Sequence, residues 1–418
     1  MYDVWLQSLE AKQLAGVCFL DMSAAFDIVD HSLLVKKLKL YGCEENCTNW
    51  IQSYLCDRSQ CVSIDGALSK LLPVQHGVPQ GSILGPLLYT LFTNELPEVV
   101  HDHQSRLDDN QWPGFNMSCS GCGSLSCYAD DTTYSCSDSD PAVLSQKLSA
   151  KFTAISEFML SNKLKLNDDK THIMVMTTSQ ARKKKNPNDM VKLITPTKLI
   201  VPSSSEKLLG AWIHQDMKWE EYVQDSDDSL IRSLSTRIGA LRVIGKVANF
   251  KNRKLIANGI FLSKLSYLIA LWGGCNLYLL KSLQILQNKA ARIVTKLDWK
   301  SPTKVLLLQC GWLSVYQLVI YHSVVMVYKV IQTQQPRPLY SMFPTEYIYS
   351  NTSQARSKSI KQRGHPTLDL WEDSFRWRAA RSFNQLPTSI RCAESLSEFK
   401  IAAKSWVRTN IPVNGSQD

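Results

Sequence analysis

An α+β fold is predicted for this chain, and three observations predict it. Strand-like and helix-like segments alternate over roughly the first 220 residues. Beyond about Asp225 the apolar residues recur at helical spacing, as in "SLIRSLSTRIGALRVIG" and "LYLLKSLQILQNKAARIVTKL". A composition of 44% hydrophobic and 20% charged residues over 418 positions describes a globular protein with room for two or three cores. Disordered and fibrous classes do not fit it.

The elements run in order along the chain. "GVCFLD" reads as a short buried strand, Val17 to Leu20, ending in Asp21. In "DHSLLVKKLKLYG", Asp30 is the N-cap, the apolar spacing is helical, and Gly42 sits just past the end. A second helix is predicted around Thr48 to Cys56. "QCVSIDG" and "KLLPVQHG" form a strand pair turned at Asp65-Gly66. "ILGPLLYTLFTNELPEVV" is apolar enough for a buried helix, ending before Pro97. His101 to Gly123 is polar and aperiodic, a loop or insertion. "LSCY" and "TTYS" are short strands either side of "ADD". Asp140 then caps a helix with Pro141 at its first position, and Leu144, Leu148, Phe152, Ile155 and Met159 line one face. "THIMVMTT" is a strand and "ARKKKNPND" a basic loop. Gln332 to Pro344 is Pro/Gln-rich and linker-like. Asn351 to Asn410 carries 11 Lys/Arg against 5 Asp/Glu, interleaved with Trp371, Phe375, Trp377, Phe383 and Trp406. No internal repeat is present.

Charge and cysteines narrow the class. With 47 Lys+Arg against 37 Asp+Glu the chain stands at +10, which favours an anionic partner, most simply nucleic acid. "RKKK" (Arg182 to Lys185) and the aromatic-basic C-terminal segment are the candidate contacts to phosphates and bases. Twelve scattered cysteines form no regular framework, and the first residues carry no signal-peptide pattern, so reduced intracellular thiols are expected. The most apolar stretch, Gly259 to Leu280, contains Lys264 and a Gly-Gly pair, and reads as a buried helix followed by a break, with no membrane role.

Two adjacent acids, Asp130 and Asp131, sit in "CYADDTTY". Neighbours on a strand point to opposite faces, so two acids in sequence share a face only at a turn. A hairpin turn at Asp-Asp would set them on the rim of a sheet. A solvated turn is the competing reading. The flanks, however, are apolar and β-branched, and a third acid, Asp21, ends another buried strand. Gathering such carboxylates is unfavourable unless a cation neutralises them. Hard oxygen donors with open positions suit Mg²⁺, and two such ions serve in-line phosphoryl displacement at a 3′-hydroxyl. "VQHGVPQGSILGPLLY" adds a strand-to-helix junction where Gly81 permits close backbone approach and the helix start can face an anion or a template-paired nucleotide.

Together these pieces resemble the reverse transcriptase of non-LTR (LINE-type) retrotransposons of the jockey and CR1 kind. "FLDMSAAFDIVDH", "HGVPQGSILGPLLY" and "YADDTTY" are similar to the three catalytic motifs of the polymerase palm. "NKLKLNDDKTHIMV" is similar to the fourth motif, and "KLLGAWIHQDMKW" to the primer-gripping segment. "LQNKAARIVT", "GWLSVYQL" and "FRWRAARSFNQLP" resemble the region C-terminal to the polymerase in these elements, so the likeness covers nearly the whole chain.

The resemblance implies an antiparallel palm sheet with packed helices and residual fingers over residues 1–222, a helical thumb over 223–300, and a mostly helical post-polymerase region over 301–418. It implies an RNA template, a DNA primer and dNTPs as partners, with protein partners unknown, and two Mg²⁺ ions as cofactor, Mn²⁺ being a substitute. Asp21 and Asp130 would bind both metals and Asp131 would complete the site. Phe26 would be the gate that clashes with a ribose 2′-hydroxyl, core packing being its competing role. Gln80 and Gly81 would contact the incoming nucleotide and template. Lys170 would protonate the leaving pyrophosphate or bind its charge, a role for which Lys165 competes. Leu209 and Gly210 would sit in the primer grip, though plain hairpin residues would look the same. The location implied is intracellular, in the nucleus at target DNA after cytoplasmic transit.

Twenty residues precede Asp21, where the family carries a long fingers region, and neither an endonuclease nor an RNase H domain is recognisable. A fragment that polymerises poorly is therefore expected. The alternative is a catalytically silent nucleic-acid-binding remnant. An RNA-dependent RNA polymerase or intron maturase is a third reading; "YADD" and Phe26 at the sugar gate count against the RNA polymerase. Cys119, Cys122 and Cys127, with His101 and His103 upstream, are a candidate zinc set, weakened by the lack of a second Cys-x₂-Cys pair.

Overall fold

The computed structural model describes residues 1–22, 24–100, 118–119, 123–184, 186–350, 353–360 and 374–414. Two compact units emerge, Asp3–Ser204 and Ser205–Asp418.

In the first unit, helix α1 (Tyr2–Glu10) leads into strand β1 (Leu14–Leu20). Its run of apolar residues is buried, as expected of a strand with little solvent on either face. Helix α2 (His31–Leu40) starts at Asp30, whose carboxylate accepts the Leu33 N–H at 2.8 Å. Helix α3 (Glu45–Leu55) comes next. A two-tier ribbon then pairs β2 (Ser59–Gln60) with β5 (Leu72–Pro73), and β3 (Ser63–Ile64) with β4 (Ala67–Leu68). It turns at Asp65-Gly66, both at positive φ, as the sequence predicts.

The next apolar stretch is two helices, α4 (Leu84–Phe92) and α5 (Leu96–Val100). Pro97 does not end a helix here; it stands at the second position of a new one, where its missing N–H has no partner to lose. Strands β6 (Ser118–Cys119), β7 (Gly123–Tyr128) and β8 (Asp131–Asp138) precede helix α6 (Pro141–Ser161). Leu144, Leu148, Phe152, Ile155 and Met159 are all buried, as their spacing predicts. After α6 come β9 (His172–Met176), helix α7 (Ser179–Lys184), β10 (Leu193–Ile194), β11 (Leu199–Ile200) and β12 (Pro202–Ser203). The "RKKK" run is thus largely helical, not loop, and Arg182 ties back to the Val175 carbonyl at 3.0 Å.

One six-stranded sheet organises this unit in the order β12-β9-β1-β8-β7-β6. It is antiparallel except for the β12–β9 pair. Helix α6 lies against β1, and Gly16 is what lets it approach: a Cβ there would stand 2.8 Å from Leu148 Cδ1. The Tyr134 hydroxyl donates to the Leu148 carbonyl at 2.8 Å, pinning β8 to the same helix.

The second unit opens with a hairpin, β13 (Ser205–Leu208) and β14 (Ala211–His214). Helices α8 (Leu230–Val247), α9 (Phe250–Ala257), α10 (Ser263–Ser266), α11 (Ile269–Trp272), α12 (Leu277–Thr295), α13 (Thr303–Cys310) and α14 (Val315–Thr333) succeed it. The sequence boundary at 222/223 falls inside this unit because Ala211, Trp219 and Tyr222 bury into the same core as α8 and α12. No separate unit begins at 301, since α14 contributes to two cores. Val315 and Val319 join the first, while Val324, Val327 and Tyr328 join Phe375, Phe383 and Phe399 in the second.

Three C-terminal expectations change. The linker-like stretch is largely ordered, α14 running to Thr333 and a short helix covering Arg337–Ser341. A hairpin, Thr345–Ser350 with Ser353–Ile360, interrupts the helices. Phe375 and Phe383 are core residues, so they do not face a nucleic acid. The apolar stretch from Gly259 is broken, as the sequence predicts: π-helical at Asn258–Leu262, then α10 and α11. Among the described residues no single helix is long and apolar enough to cross a membrane, although the bent pair α13 and α14 passes by length and composition.

Candidate active site

The antiparallel register of β1 and β8 ends with Leu20 opposite Thr132. Asp21 follows the last residue of β1 and Asp131 opens β8, so both lie at this end of the ladder, near enough for the Asp21 charge to act on Asp131. The β7–β8 turn is Ala129-Asp130, closed by the Tyr128–Asp131 pair, so Asp130 occupies the turn and Asp131 begins the strand. Ala129 adopts φ 55, a left-handed conformation that costs a residue with a Cβ roughly 1–2 kcal/mol. Strain of this kind is concentrated where geometry is over-determined.

Electrostatics couple the three acids. Burial pushes the Asp131 carboxyl above its usual range, and the charges of Asp130 and Asp21 push it further. Burial and then Asp130 also raise the Tyr89 phenol, whose hydroxyl donates to Met22 Sδ at 2.8 Å. Oδ2 of Asp21 is buried with no hydrogen-bond partner; its ion-pair partner, Lys170 Nζ, stands 3.4 Å away. Among the described residues no group of three or more His, Cys, Asp or Glu side chains closes into a metal-holding cluster. The donor set nevertheless fits a hard divalent cation: three carboxylates, the charges of two of them acting on Asp131, and one buried oxygen with no hydrogen-bond partner.

Lys170 reaches Asp21 because the chain after α6 folds back over it. Leu166 bridges Met22, and the Asn167 N–H donates to the Asp21 carbonyl at 2.9 Å. The Asn167 side chain accepts the Asp169 N–H at 3.1 Å, starting the single 3₁₀ turn Asp168–Lys170. Lys165 is exposed and forms no ion pair among the described residues, so geometry separates the two lysines that the sequence left level. Asn167 was not singled out from sequence, although an Asn opening "NDDK" carries the signal of an Asx turn.

Phe26, Gln80 and Gly81 meet through two interlocked loops. Val78 N–H donates to the Phe26 carbonyl at 2.7 Å, Gly77 N–H to the Val29 carbonyl at 2.8 Å, and the Gln80 amide to Asp27 Oδ1 at 2.8 Å. Phe26 is half-buried, its ring 4.8 Å from that of Tyr89, so it packs and yet remains partly open. Gly81 has φ 78 and open space around its Cα, while Gly77, at φ 90, lies against the Asp27 backbone. Ser82 Oγ accepts the Gly85 N–H at 2.9 Å, capping the helix start beside them.

Leu209 and Gly210 belong to the second unit. They form the two-residue turn of β13–β14, with φ 48 and 76, a type I′ geometry that the hairpin twist favours. The Tyr267 hydroxyl donates to the Leu209 carbonyl at 2.6 Å. Of the candidate zinc set, Cys122, His101 and His103 lie outside the described residues, and Cys127 sits half-buried on β7 with burial raising its thiol.

Comparison with known proteins places this geometry. The family described as reverse transcriptase (RNA-dependent DNA polymerase) matches residues 5–213, half of the chain and all of the candidate residues above from Asp21 to Gly210. The RNA-directed DNA polymerase from mobile element jockey of Drosophila funebris is 25% identical over 299 residues, 72% of this chain and 30% of that protein. The probable RNA-directed DNA polymerase from transposon X-element of Drosophila melanogaster is 27% identical over 298 residues, 70% of this chain and 30% of that one. The chain thus spans about 30% of the length of these curated relatives. Among solved structures, apo telomerase from Candida tropicalis is similar at a TM-score of 0.39 and 12% identity, over 76% of this chain and 48% of that one. The chain belongs to the reverse transcriptase (RNA-dependent DNA polymerase) family, as a LINE-type member.

Proposed function

We propose that this chain carries the nucleotidyl-transfer centre of an RNA-directed DNA polymerase, extending a DNA primer with dNTPs along an RNA template. The observation that carries the reading is the β1–β8 register, which brings the end of β1, followed by Asp21, to the start of β8 at Asp131, with Asp130 on the adjoining turn. Members of the family use divalent metal ions. Here Asp21 and Asp130 would hold two Mg²⁺, or Mn²⁺ in their place, and Asp131 would complete the set. Such ions, when bound, ready the attacking oxygen and stabilise the leaving one.

The chain's own residues do the rest. The primer 3′-oxygen forms a bond to the α-phosphorus as the bond to pyrophosphate breaks. Lys170, held beside Asp21, supplies a proton or a countercharge to that leaving group. Phe26 stands where a ribose 2′-hydroxyl would clash, Gln80 and Gly81 contact nucleotide and template, and Leu209 and Gly210 grip the primer. The working place of such chemistry is target DNA in the nucleus, reached through the cytoplasm.

Primer extension on a primed RNA template tests the reading. Mg²⁺-dependent dNTP incorporation by the wild type and its loss in Asp21→Ala are expected. Mn²⁺ binding followed by electron paramagnetic resonance gives a readout independent of turnover: Asp21→Ala should weaken it. Incorporation that survives Asp21→Ala would sink the assignment, and hybrid binding with neither turnover nor metal uptake would favour a silent binding remnant.

A further inference from the structure

Lys170 needs more than its ion-pair partner to hold it. The pair with Asp21, at 3.4 Å, joins side chains that are 67% and 37% exposed, and a pair so open to water fixes neither end. The backbone beneath it is the single 3₁₀ turn Asp168–Lys170. On one side that turn is tied to the residues following β1, Met22 to Leu166 and Asp21 to Asn167. On the other side Asp168 meets residues 27 and 29 positions further along the chain. The Thr197 hydroxyl donates to Asp168 Oδ2, and the Thr195 hydroxyl lies 3.3 Å from the same oxygen. Thr195 also faces the Lys198 carbonyl at 3.1 Å, so its one proton is shared and Thr197 makes the firmer bond. Lys198 Nζ stands 3.3 Å from Asp169, whose side chain is 94% exposed, so that pair adds little.

Both threonines sit in the turn between β10 and β11, which the Thr195 N–H closes on the Lys198 carbonyl at 3.0 Å. That hairpin is anchored from behind. Leu193 and Ile200 are buried in one core with Leu144 and Leu148 of α6. The Lys192 and Ile194 N–H groups donate to the Ser145 and Ser149 hydroxyls of α6 at 3.1 and 3.2 Å. Those serines are four residues apart, one turn of the helix, and so present their oxygens on the same face to alternate residues of the strand. The β10–β11 turn is therefore a fixed post. The Asp168 carboxylate joins it to the 3₁₀ turn, and a charged acceptor makes a stronger hydrogen bond than a neutral one.

We propose that Asp168 is a positioning residue for Lys170, held by Thr197 and Thr195 of the β10–β11 turn so that the ammonium stays beside Asp21 and within reach of the leaving group. Asp168 and Thr197 act through Lys170 and through the backbone between them. A group that must meet a reacting atom loses on the order of 10²-fold in rate when it is misplaced by about 1 Å, so the tie bears on the chemical step rather than on substrate binding. That the positioned ammonium serves a leaving pyrophosphate rests on the polymerase reading; the tie between the two turns does not.

Two measurements on the full 418-residue chain test it. In single-turnover incorporation on a primed RNA template, Asp168→Ala should be slower by about 10–10²-fold at saturating dNTP, with the half-saturating dNTP concentration unchanged. Thr197→Val should lose rate in the same direction, and Thr197→Ser, which keeps the hydroxyl, should recover most of it. In a Lys170→Met chain, Asp168→Ala should add no further loss, because the group it positions is gone. A full additional loss there, or a Thr197→Ser chain as slow as Thr197→Val, would overturn the proposal. The second readout needs no turnover. Hydrogen exchange at the Asn167, Lys170 and Thr171 amides should speed up in Asp168→Ala and in Thr197→Val, while the amides of β9 keep wild-type protection and show the chain folded. Unchanged exchange at those three amides would overturn the proposal whatever the rates. A wild type that incorporates no dNTP would count against the catalytic reading, and exchange would then decide the tie by itself.

Discussion

Two glycines in "HGVPQG" take left-handed backbone angles for different reasons, and substituting each by alanine separates those reasons. Gly77 has φ 90 and Gly81 φ 78, so a Cβ at either position costs roughly 1–2 kcal/mol of backbone strain. Beyond that, Gly81 meets nothing within 4 Å. A Cβ on Gly77 would stand 2.7 Å from the Asp27 carbonyl oxygen and 2.8 Å from its Cα. Those neighbours are backbone and cannot rotate away, so overpacking of about 1–3 kcal/mol adds to the strain. Gly77→Ala should therefore destabilise by about 2–5 kcal/mol and Gly81→Ala by about 1–2. Urea unfolding at a common slope reads both as shifts in midpoint. The clash also pushes on the Gly77–Val29 and Val78–Phe26 hydrogen bonds, so Gly77→Ala should displace Phe26 from the Tyr89 ring and relax discrimination between dNTP and rNTP. If Gly77→Ala costs no more than Gly81→Ala, the interlocking of the two loops is not what holds this part of the site.

Three further outcomes are expected. Because the folded chain holds a proton on Asp131 to higher pH than the unfolded chain does, stability should fall as pH rises from the ordinary carboxyl range near about 3.9; Asp131→Asn should remove that fall, seen as a higher melting temperature than wild type at pH 7 without divalent ions and no difference at low pH. Asp30 shows the opposite sign: the Lys163 ammonium, then the Ser32 hydroxyl, hold its carboxyl well below the usual range, so its stabilisation is present at neutral pH and lost on acidification; Asp30→Ala should cost about 0.5–2 kcal/mol at pH 7 in denaturant titrations, as a lost N-cap, and less in strong acid. Lys170→Met should slow single-turnover incorporation by about 10²–10⁴-fold if it transfers the proton, whereas Lys165→Met should leave the rate unchanged; equal effects would reopen the choice between them.

Local signals were enough for much of the scaffold. Asp140 followed by Pro141 and a strict apolar spacing could only read as a helix start, and Asp65-Gly66 as a tight turn, because capping and positive φ are properties of a few adjacent residues. Pro97 misled for the same local reason: proline closes one helix and opens the next with equal ease, and only the fold decides which. The aromatic residues interleaved with basic ones near the C-terminus misled differently. Phe375 and Phe383 look like a stacking surface in a linear sequence, yet the helix that carries them turns both into a core with Phe399.

Sequence by itself determined the kinds of group the site can use: three carboxylates, a phenylalanine five residues beyond Asp21, and a glycine-bearing loop ahead of an apolar helix. Residue type and short-range order are enough for that, since chemistry resides in side chains. Tertiary structure alone decided which of those groups meet. The β1–β8 register brings the end of β1, followed by Asp21, to the start of β8 at Asp131, and the backbone bond from Asn167 to Asp21 brings up Lys170 and leaves Lys165 outside. The reason is that proximity between remote residues arises from packing and strand pairing over the whole unit, which no short window of sequence encodes.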